Sequence, residues 1–281
     1  MQQPKISIIT VTYNSSATIQ ATISSYIKQD YSNKELIIID GQSTDGTVDI
    51  IKENERHVAY WISEKDDGIP DALNKGMRAS TGEWFYFLNS DDVFYSTNAL
   101  SRVFLKDLNG LDMVYGNVIL KSTGRQFNGE YDIEKLMKGN ICHQAQFFNK
   151  SIITKIGYFN IEYKLLSDYD YTIRAFTSRQ VQIAYIAEII AIFDDAGRTS
   201  FGYDEAFWRD RKKNFIKRCS GLINKRLISR AFKPHFYYTI KHKPLLTALY
   251  AIAETFFYSH DYNDIKAGLS ILKKRLLCHL K

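Results

Sequence analysis

Along the first hundred residues, apolar runs alternate with amphipathic stretches in a regular order. Lys5 to Val11 is a continuous β-branched run and predicts a strand, and after Ser16 the residues Ile19, Ile23, Tyr26 and Ile27 recur at helical spacing. Glu35 to Ile39 predicts a second buried strand, and Thr44-Asp45-Gly46-Thr47 opens a helix carrying Val48, Ile51 and Lys52. Val58 to Ile62 reads as a third strand and Pro70 to Ala79 as a helix. Trp84 to Leu88 is a fourth strand, apolar throughout as in a sheet covered on both faces. Further on, Asp112 to Leu120 reads as a strand, Ile133 to Met137 as a short helix and Gln146 to Asn149 as a strand edge. Helices follow at Ser151 to Ile156 and Asp168 to Thr177, and Ile183 to Phe193 is strand-like in parts.

This alternation predicts an α/β fold: an open, mostly parallel, Rossmann-like sheet with helices on both faces. From Tyr203 onward the chain becomes long, basic and helical. A boundary is therefore expected near Ser200, with a catalytic domain at 1–200 and a helical basic region at 201–281. The chain has 281 residues, 45% of them hydrophobic, 24% charged and only 4 of them proline, which excludes disorder and low complexity. Three cysteines, Cys142, Cys219 and Cys278, form no C-x-x-C pair, so neither a disulfide framework nor a zinc knuckle is expected. The start lacks a charged segment followed by a long apolar one, which predicts no secretory signal and a cytoplasmic location.

In an open α/β sheet, ligands bind beyond the carboxyl ends of the strands. Those ends are unusually polar here: Thr12-Tyr13-Asn14 after strand one, Asp40-Gly41 after strand two, Ser63-Glu64-Lys65-Asp66-Asp67 after strand three and Asn89-Ser90-Asp91-Asp92 after strand four. Any one acidic residue at a strand end is commonly a cap or turn former. Carboxylates from several strands on one edge repel one another unless a cation joins them, so a hard divalent ion, Mn²⁺ or Mg²⁺, with phosphate oxygens is the economical reading. Asp91 is expected as a direct ligand, with Asp92 either sharing the ion or capping the next segment. Asn89 is an amide suited to a ribose hydroxyl, and Asp40 an acceptor suited to a base N–H.

The segments Ser7 to Asn14, Ile39 to Thr47, Ser63 to Gly76 and Phe87 to Asp92 together resemble glycosyltransferase family 2, of the A-type glycosyltransferase fold. The resemblance covers the first hundred residues in order. It implies that Thr12 and Tyr13 flank a nucleotide, that Asp40 reads the base, that Asp66 approaches base or ribose, and that Asn89-Ser90-Asp91 occupies the place of the family's D-x-D metal motif. Two positions depart from the family pattern: Asn89 replaces the first Asp, and Pro70 stands where relatives often carry an aromatic residue. The implied activity is inverting transfer of one sugar from a nucleoside-diphosphate donor, a UDP-sugar by preference, to an acceptor hydroxyl. The setting it implies is cell-surface polysaccharide assembly.

Inverting transfer requires a base that takes the acceptor's proton. Asp168, within Leu166-Ser167-Asp168-Tyr169-Asp170, reads from the residues alone either as that base or as a helix cap. The resemblance assigns it as the base, with Asp170 as the neighbour that orients or shifts it. His143 and Gln144, in Ile141 to Phe148, resemble a family segment on the acceptor side. Arg198 is a candidate clamp on the diphosphate, or a partner for Asp194 or Asp195.

From Ser200 onward there are 17 Lys and Arg against 6 Asp and Glu, and before it 20 against 25, so the tail carries +11 and the remainder −5. Such a tail suits contact with the inner membrane surface, where a lipid-linked saccharide acceptor would lie, or an amphipathic packing face or homodimer contact. No recognition helix, finger or aromatic platform accompanies it, which argues against nucleic acid. A nucleotidyltransferase would carry a Gly-rich basic loop after strand one, and Thr12 to Ser16 has neither Gly nor Arg. The remaining alternative is a catalytically inactive sugar-nucleotide-binding or scaffold protein of the same fold.

Overall fold

The computed structural model describes residues 3–196, 204–210 and 262–279. By packing, the chain divides into two compact units, one of Met1–Asp132 with Asn140–Phe207 and one of Ile133–Gly139 with Trp208–Lys281. In the first unit the elements run β1 (Ile6–Thr12), α1 (Ile19–Ile27), β2 (Lys34–Asp40), α2 (Thr47–Glu53), β3 (Tyr60–Ser63), α3 (Ile69–Ala79) and β4 (Trp84–Phe87). After them come β5 (Val93–Phe94), α4 (Ala99–Phe104), β6 (Met113–Leu120) and β7 (Gln126–Phe127). The short helix α5 (Ile133–Lys138) belongs to the second unit, and β8 (Gln146–Asn149), α6 (Ile152–Ile156), α7 (Ser167–Thr177) and β9 (Ile183–Phe193) return to the first.

One nine-stranded sheet organises the first unit, in the order β3-β2-β1-β4-β8-β6-β9-β5, with β7 paired to β6. The parallel expectation holds over β3-β2-β1-β4, whose register places Thr12 opposite Asp40 and Asp40 opposite Ser63. The other half is mixed. β8 inserts antiparallel between β4 and β6, while β6 and β9 are parallel with register breaks between Tyr115 and Val118.

Every residue of β1 and β4 is buried, because helices cover both faces. On one face Ile6, Ile8, Leu36, Ile38, Trp84 and Tyr86 pack against Ile19, Ile23 and Tyr26 of α1 and Leu100 and Val103 of α4. On the other, Phe85 stacks on Phe148, and Phe148, Phe159 and Tyr171 form a chain of ring contacts reaching α7. Helix α3 lies close on β1: a Cβ at Gly76 would run into Ile9, so this crossing requires glycine.

The buried sheet also contains charged groups, Glu35 among them. Burial alone would raise its pKa, but hydrogen bonds from Lys5, Ser7 and Thr81 outweigh that and bring it down to about 2. In the second unit, the helix Tyr262–His279 is described, together with the helical residues 208–210. The apolar stretch Phe236 to Tyr258 lies outside the described residues. Among the described residues no helix is long and apolar enough to cross a membrane.

Candidate active site

Because β1, β2 and β3 are parallel and in register, their carboxyl ends deliver Thr12, Asp40 and Ser63 side by side. Asp40 is fully buried. Its Oδ2 accepts from the Ser63 hydroxyl at 2.6 Å and the Ser43 amide at 2.9 Å, and its Oδ1 accepts from the Ser43 hydroxyl at 2.5 Å. Asp40 therefore holds the ends of β2 and β3 together.

The loop after β1 is laced to the loop after β2. The Asn14 amide donates to Ser43 Oγ, Asn14 Oδ1 accepts from the Thr44 amide, and the amides of Ser15 and Ser16 donate to Thr47 Oγ1 and an Asp45 carboxylate oxygen. Asn14 adopts a left-handed φ of 49° to make this turn, a conformation asparagine tolerates. Hydrogen bonds, that of Thr47 foremost, hold the Asp45 carboxyl well below its usual range.

Between these loops Tyr13, 55% exposed, and Asp66 flank the backbone of Gly41. A Cβ at Gly41 would stand 2.7 Å from Asp66 Oδ2 and 3.4 Å from the Tyr13 ring. Glycine thus lets an aromatic ring and a carboxylate close on the backbone at this edge, the pair of groups that stacks on and hydrogen-bonds to a nucleoside.

The end of β4 is more acidic and less satisfied. Ser90 is buried and ties this end to β1 through a 2.9 Å hydrogen bond to Ser15 Oγ. Asn89 Oδ1 and Thr12 Oγ1 are buried without hydrogen-bond partners among the described residues. Asp91 is partly exposed, and burial, then the repulsion of Asp194, raises its pKa. Asp92 is 1% exposed. Its Oδ1 accepts from the Asp194 amide at 2.8 Å, its Oδ2 has no partner among the described residues, and burial followed by the charge of Asp91 drives its pKa well up.

Asp91 is thus the group open to an ion, and Asp92 chiefly anchors the chain beyond β9. Lys121 pairs with Asp194 at 2.6 Å and Ser122 donates to Asp195, so those two acids are engaged by the β6–β7 turn. Arg198 lies outside the described residues. Among the described residues no three His, Cys, Asp or Glu side chains converge on a closed metal cage. The arrangement fits an open hard-cation site, in which one or two carboxylates hold the ion and phosphates and waters complete it.

The antiparallel β8 begins beside the end of β4, which brings the segment 140–146 to this edge. His143 is buried against the rings of Phe87 and Phe159, and burial lowers its pKa to about 3, so it is neutral, with Nε2 unpartnered among the described residues. Gln144 lies beside Asp92. The Cys142 thiol, hydrogen-bonded to Gln144 Oε1 at 3.2 Å, is kept protonated by burial and faces both Asp92 and Asp168. This segment therefore connects the acidic end of β4 to the start of α7.

Asp168 is not the N-cap residue of α7. That residue is Leu166, and Asp204 Oδ2 accepts from the amides of Leu165 and Leu166 where the chain enters the helix. Asp168 Oδ1 accepts from the Tyr169 amide at 2.7 Å and Oδ2 from Asn140 Nδ2 at 2.9 Å. Burial pushes its pKa up to about 6, near that of a working general base. Asp170 is turned away onto Arg174 at 2.7 Å, and Arg174 also donates to the carbonyls of Ile156 and Tyr158. Asp170 is engaged in holding α7 to the turn after α6 rather than in orienting Asp168. Sequence reasoning did not find Asn140 or Asp204 and named Asp194 only as a partner for Arg198; the partners of these three are 28 to 102 residues distant and leave no local pattern.

The glycosyl transferase family 2 model matches residues 7–177, a span that begins in β1 and ends with α7. A PGL/p-HBAD biosynthesis glycosyltransferase of Mycobacterium bovis is 36% identical over 208 residues, 71% of this chain and 80% of its own. The Escherichia coli UDP-Glc:alpha-D-GlcNAc-diphosphoundecaprenol beta-1,3-glucosyltransferase WfgD is 31% identical over 113 residues, 40% of this chain and 45% of its own. Among solved structures, S. aureus TarS 1–349 in complex with UDP-GlcNAc superimposes with a TM-score of 0.68 at 18% identity, covering 89% of this chain and 80% of that one. Against the longer TarS chain the share of that chain falls to 49%. The mannosyltransferase PcManGT from Pyrobaculum calidifontis, with GDP-Man and Mn2+, gives 0.56 at 18% identity, covering 100% of this chain and 82% of that one. The fold is thus that of the A-type nucleotide-sugar transferases, and with its strand-end acids inside the matched span the chain belongs to glycosyl transferase family 2 and is a glycosyltransferase.

Proposed function

We propose that residues 1–200 carry out inverting, divalent-metal-dependent transfer of a single sugar from a UDP-sugar to a hydroxyl of a saccharide or lipid-linked saccharide, in the assembly of a cell-surface glycan. The observation that carries this reading is Asp168: a carboxylate in the first turn of α7 held by the Tyr169 amide and Asn140, raised to about 6 by burial, and joined by one short segment to the acids at the end of β4. In the proposed reaction the acceptor oxygen attacks the anomeric carbon as Asp168 takes its proton, and the bond to the diphosphate breaks on the opposite face. Tyr13, Gly41 and Asp66 receive the nucleoside, while the unpartnered Asn89 Oδ1 would accept from a ribose hydroxyl and the unpartnered Thr12 hydroxyl would donate to ribose or phosphate. Asp91 would hold the ion, and Asp92, with Oδ2 unpartnered among the described residues, would add a second carboxylate oxygen. When bound, Mn²⁺ or Mg²⁺ neutralises charge on the departing diphosphate.

Support for uridine and a lipid-linked acceptor comes from the relatives. WfgD is named for UDP-Glc and a diphosphoundecaprenol acceptor, TarS was solved with UDP-GlcNAc, and PcManGT with Mn2+. The basic region beyond Ser200 is assigned to contact with an anionic surface, which would bring such an acceptor to the site. The test is thermal stabilisation by UDP, GDP, dTDP and CMP, each with Mn²⁺ and with EDTA, because a ligand that binds only the native state raises its melting temperature. Stabilisation by UDP that requires the metal is expected. No response to any nucleotide would instead favour an inactive scaffold of the same fold.

A further inference from the structure

Asp168 is held by a side chain that no feature of the sequence marks. We propose that Asn140 is a positioning residue of the acceptor site, whose amide fixes the plane of the Asp168 carboxylate. The inference rests on the reading of Asp168 as the base. Asn140 Nδ2 donates to Oδ2 at 2.9 Å while the Tyr169 amide donates to Oδ1 at 2.7 Å. With one donor on each oxygen the carboxylate cannot rotate, yet a carboxylate offers about four lone-pair sites, so acceptor capacity remains on both oxygens.

The backbone that carries the amide is braced from the sheet. Tyr131 Oη donates to the Asn140 backbone carbonyl at 3.0 Å, and the Tyr131 amide donates to Tyr115 Oη at 2.8 Å, on β6. Tyr115 packs on Tyr185 of β9, with ring centroids 5.4 Å apart. Two residues beyond Asn140, the Cys142 amide donates to Asn128 Oδ1 at 3.0 Å. This relay from the sheet through Tyr115 and Tyr131 ends on the Asn140 backbone, from which the side-chain amide reaches Asp168, its own Oδ1 buried without a partner among the described residues.

The neutrality of the relay matters as much as its geometry. A hydrogen bond from a neutral amide favours the ionised form of Asp168 against the burial that opposes it, without adding a charge that would fix the group ionised after it has taken the proton. The titratable groups around Asp168 are consistent with this arrangement. The Cys142 thiol is kept protonated, the Tyr131 phenol is pushed up to about 12, Asp170 is paired with Arg174, and Asp204 faces the amides of Leu165 and Leu166.

The test titrates Asp168 directly, through the side-chain carboxyl resonances of protein labelled with carbon-13 at aspartate. The Asp168 signal is assigned by its loss in Asp168→Asn. Asn140→Ala removes the donor and is expected to raise the midpoint by about one pH unit, and Asn140→Asp, of the same size but acidic, by more. Release of UDP from UDP-GlcNAc with water as the acceptor should fall about tenfold in Asn140→Ala with KM for the donor unchanged. An Asp168 midpoint that stays put in both variants overturns the inference, whatever the rate does, and Asn140→Asp decides alone should Asn140→Ala fail to fold. The underlying reading fails separately: Asp168→Asn releasing UDP at the unaltered rate removes the base, and the inference with it.

Discussion

The two parts of the site treat their carboxylates in opposite ways. At the ends of β2 and β3, Asp40 and Asp45 each accept three hydrogen bonds from nearby hydroxyls and amides. At the end of β4 and the start of α7, Asp91, Asp92 and Asp168 have too few donors for their burial, and all three pKa values rise. A carboxylate saturated with donors is a fixed piece of framework that shapes a binding surface. One left short of donors either waits for a cation or is ready to accept a proton. Recognition and chemistry are therefore separated along one sheet edge by how completely each acid is satisfied.

The contrast can be broken most decisively at Asp168. Asp168→Asn should lower kcat by about 10²- to 10⁴-fold, the usual worth of a general base, while metal-dependent stabilisation by UDP persists. In the unaltered enzyme the base works only when ionised, so kcat/KM should rise with pH through about 6. A rate independent of pH between 5 and 7 would place the proton elsewhere. The next largest effect is expected at Asp91, where Asp91→Asn should weaken metal-supported UDP binding on the order of a hundredfold. That loss removes about 2.7 kcal/mol of the stabilisation seen at saturating nucleotide, and an EDTA-insensitive UDP effect in the unaltered protein would contradict it.

Asp40→Ala sharpens the other side of the comparison. It strips the acceptor from Ser43 and Ser63, so the nucleotide-free protein should lose about 1–3 kcal/mol in chemical denaturation. An unchanged midpoint would mean that the donors are satisfied by water and that the framework role is misplaced. Gly41→Ala should have the smallest effect on stability, within about 1 kcal/mol, because the group it meets is the mobile end of Asp66. Nucleotide affinity should nonetheless fall about tenfold, as calorimetry can show, since the added methyl displaces the Asp66 carboxylate.

Much of this was legible in the sequence, and the exceptions share a cause. β8 and β9 begin and end where the apolar pattern placed them, and β1 to β4 fall within two residues; for β1, β2, β4 and β8 the reason is burial on both faces, which leaves an uninterrupted apolar run. The two-residue strands β5 and β7 and the six-residue α4 are too short for any period to register. The antiparallel insertion of β8 is invisible locally, and it explains why His143 and Gln144 reach the edge from residues before a strand rather than after one. The acids at the strand ends could be gathered by position. Which of them would be left short of donors could not, since Asp92, Asp168 and Asp204 take their partners from far along the chain.

The bond between the Asp92 carboxylate and the Asp194 amide spans 102 residues, and that span is also an interval of time. A ribosome adds roughly 5–20 residues per second, so Asp92 emerges on the order of 5–20 s before the amide that anchors it. The ends of β1 and β2 have no such wait, because Asp40 finds its partners within 23 residues. During synthesis the nucleotide-facing corner can therefore lock early, while the corner that handles charge stays open to solvent until β9 is complete. Limited proteolysis of arrested chains ending before and after residue 194 should find the loop after β4 cut in the shorter chains and protected in the longer.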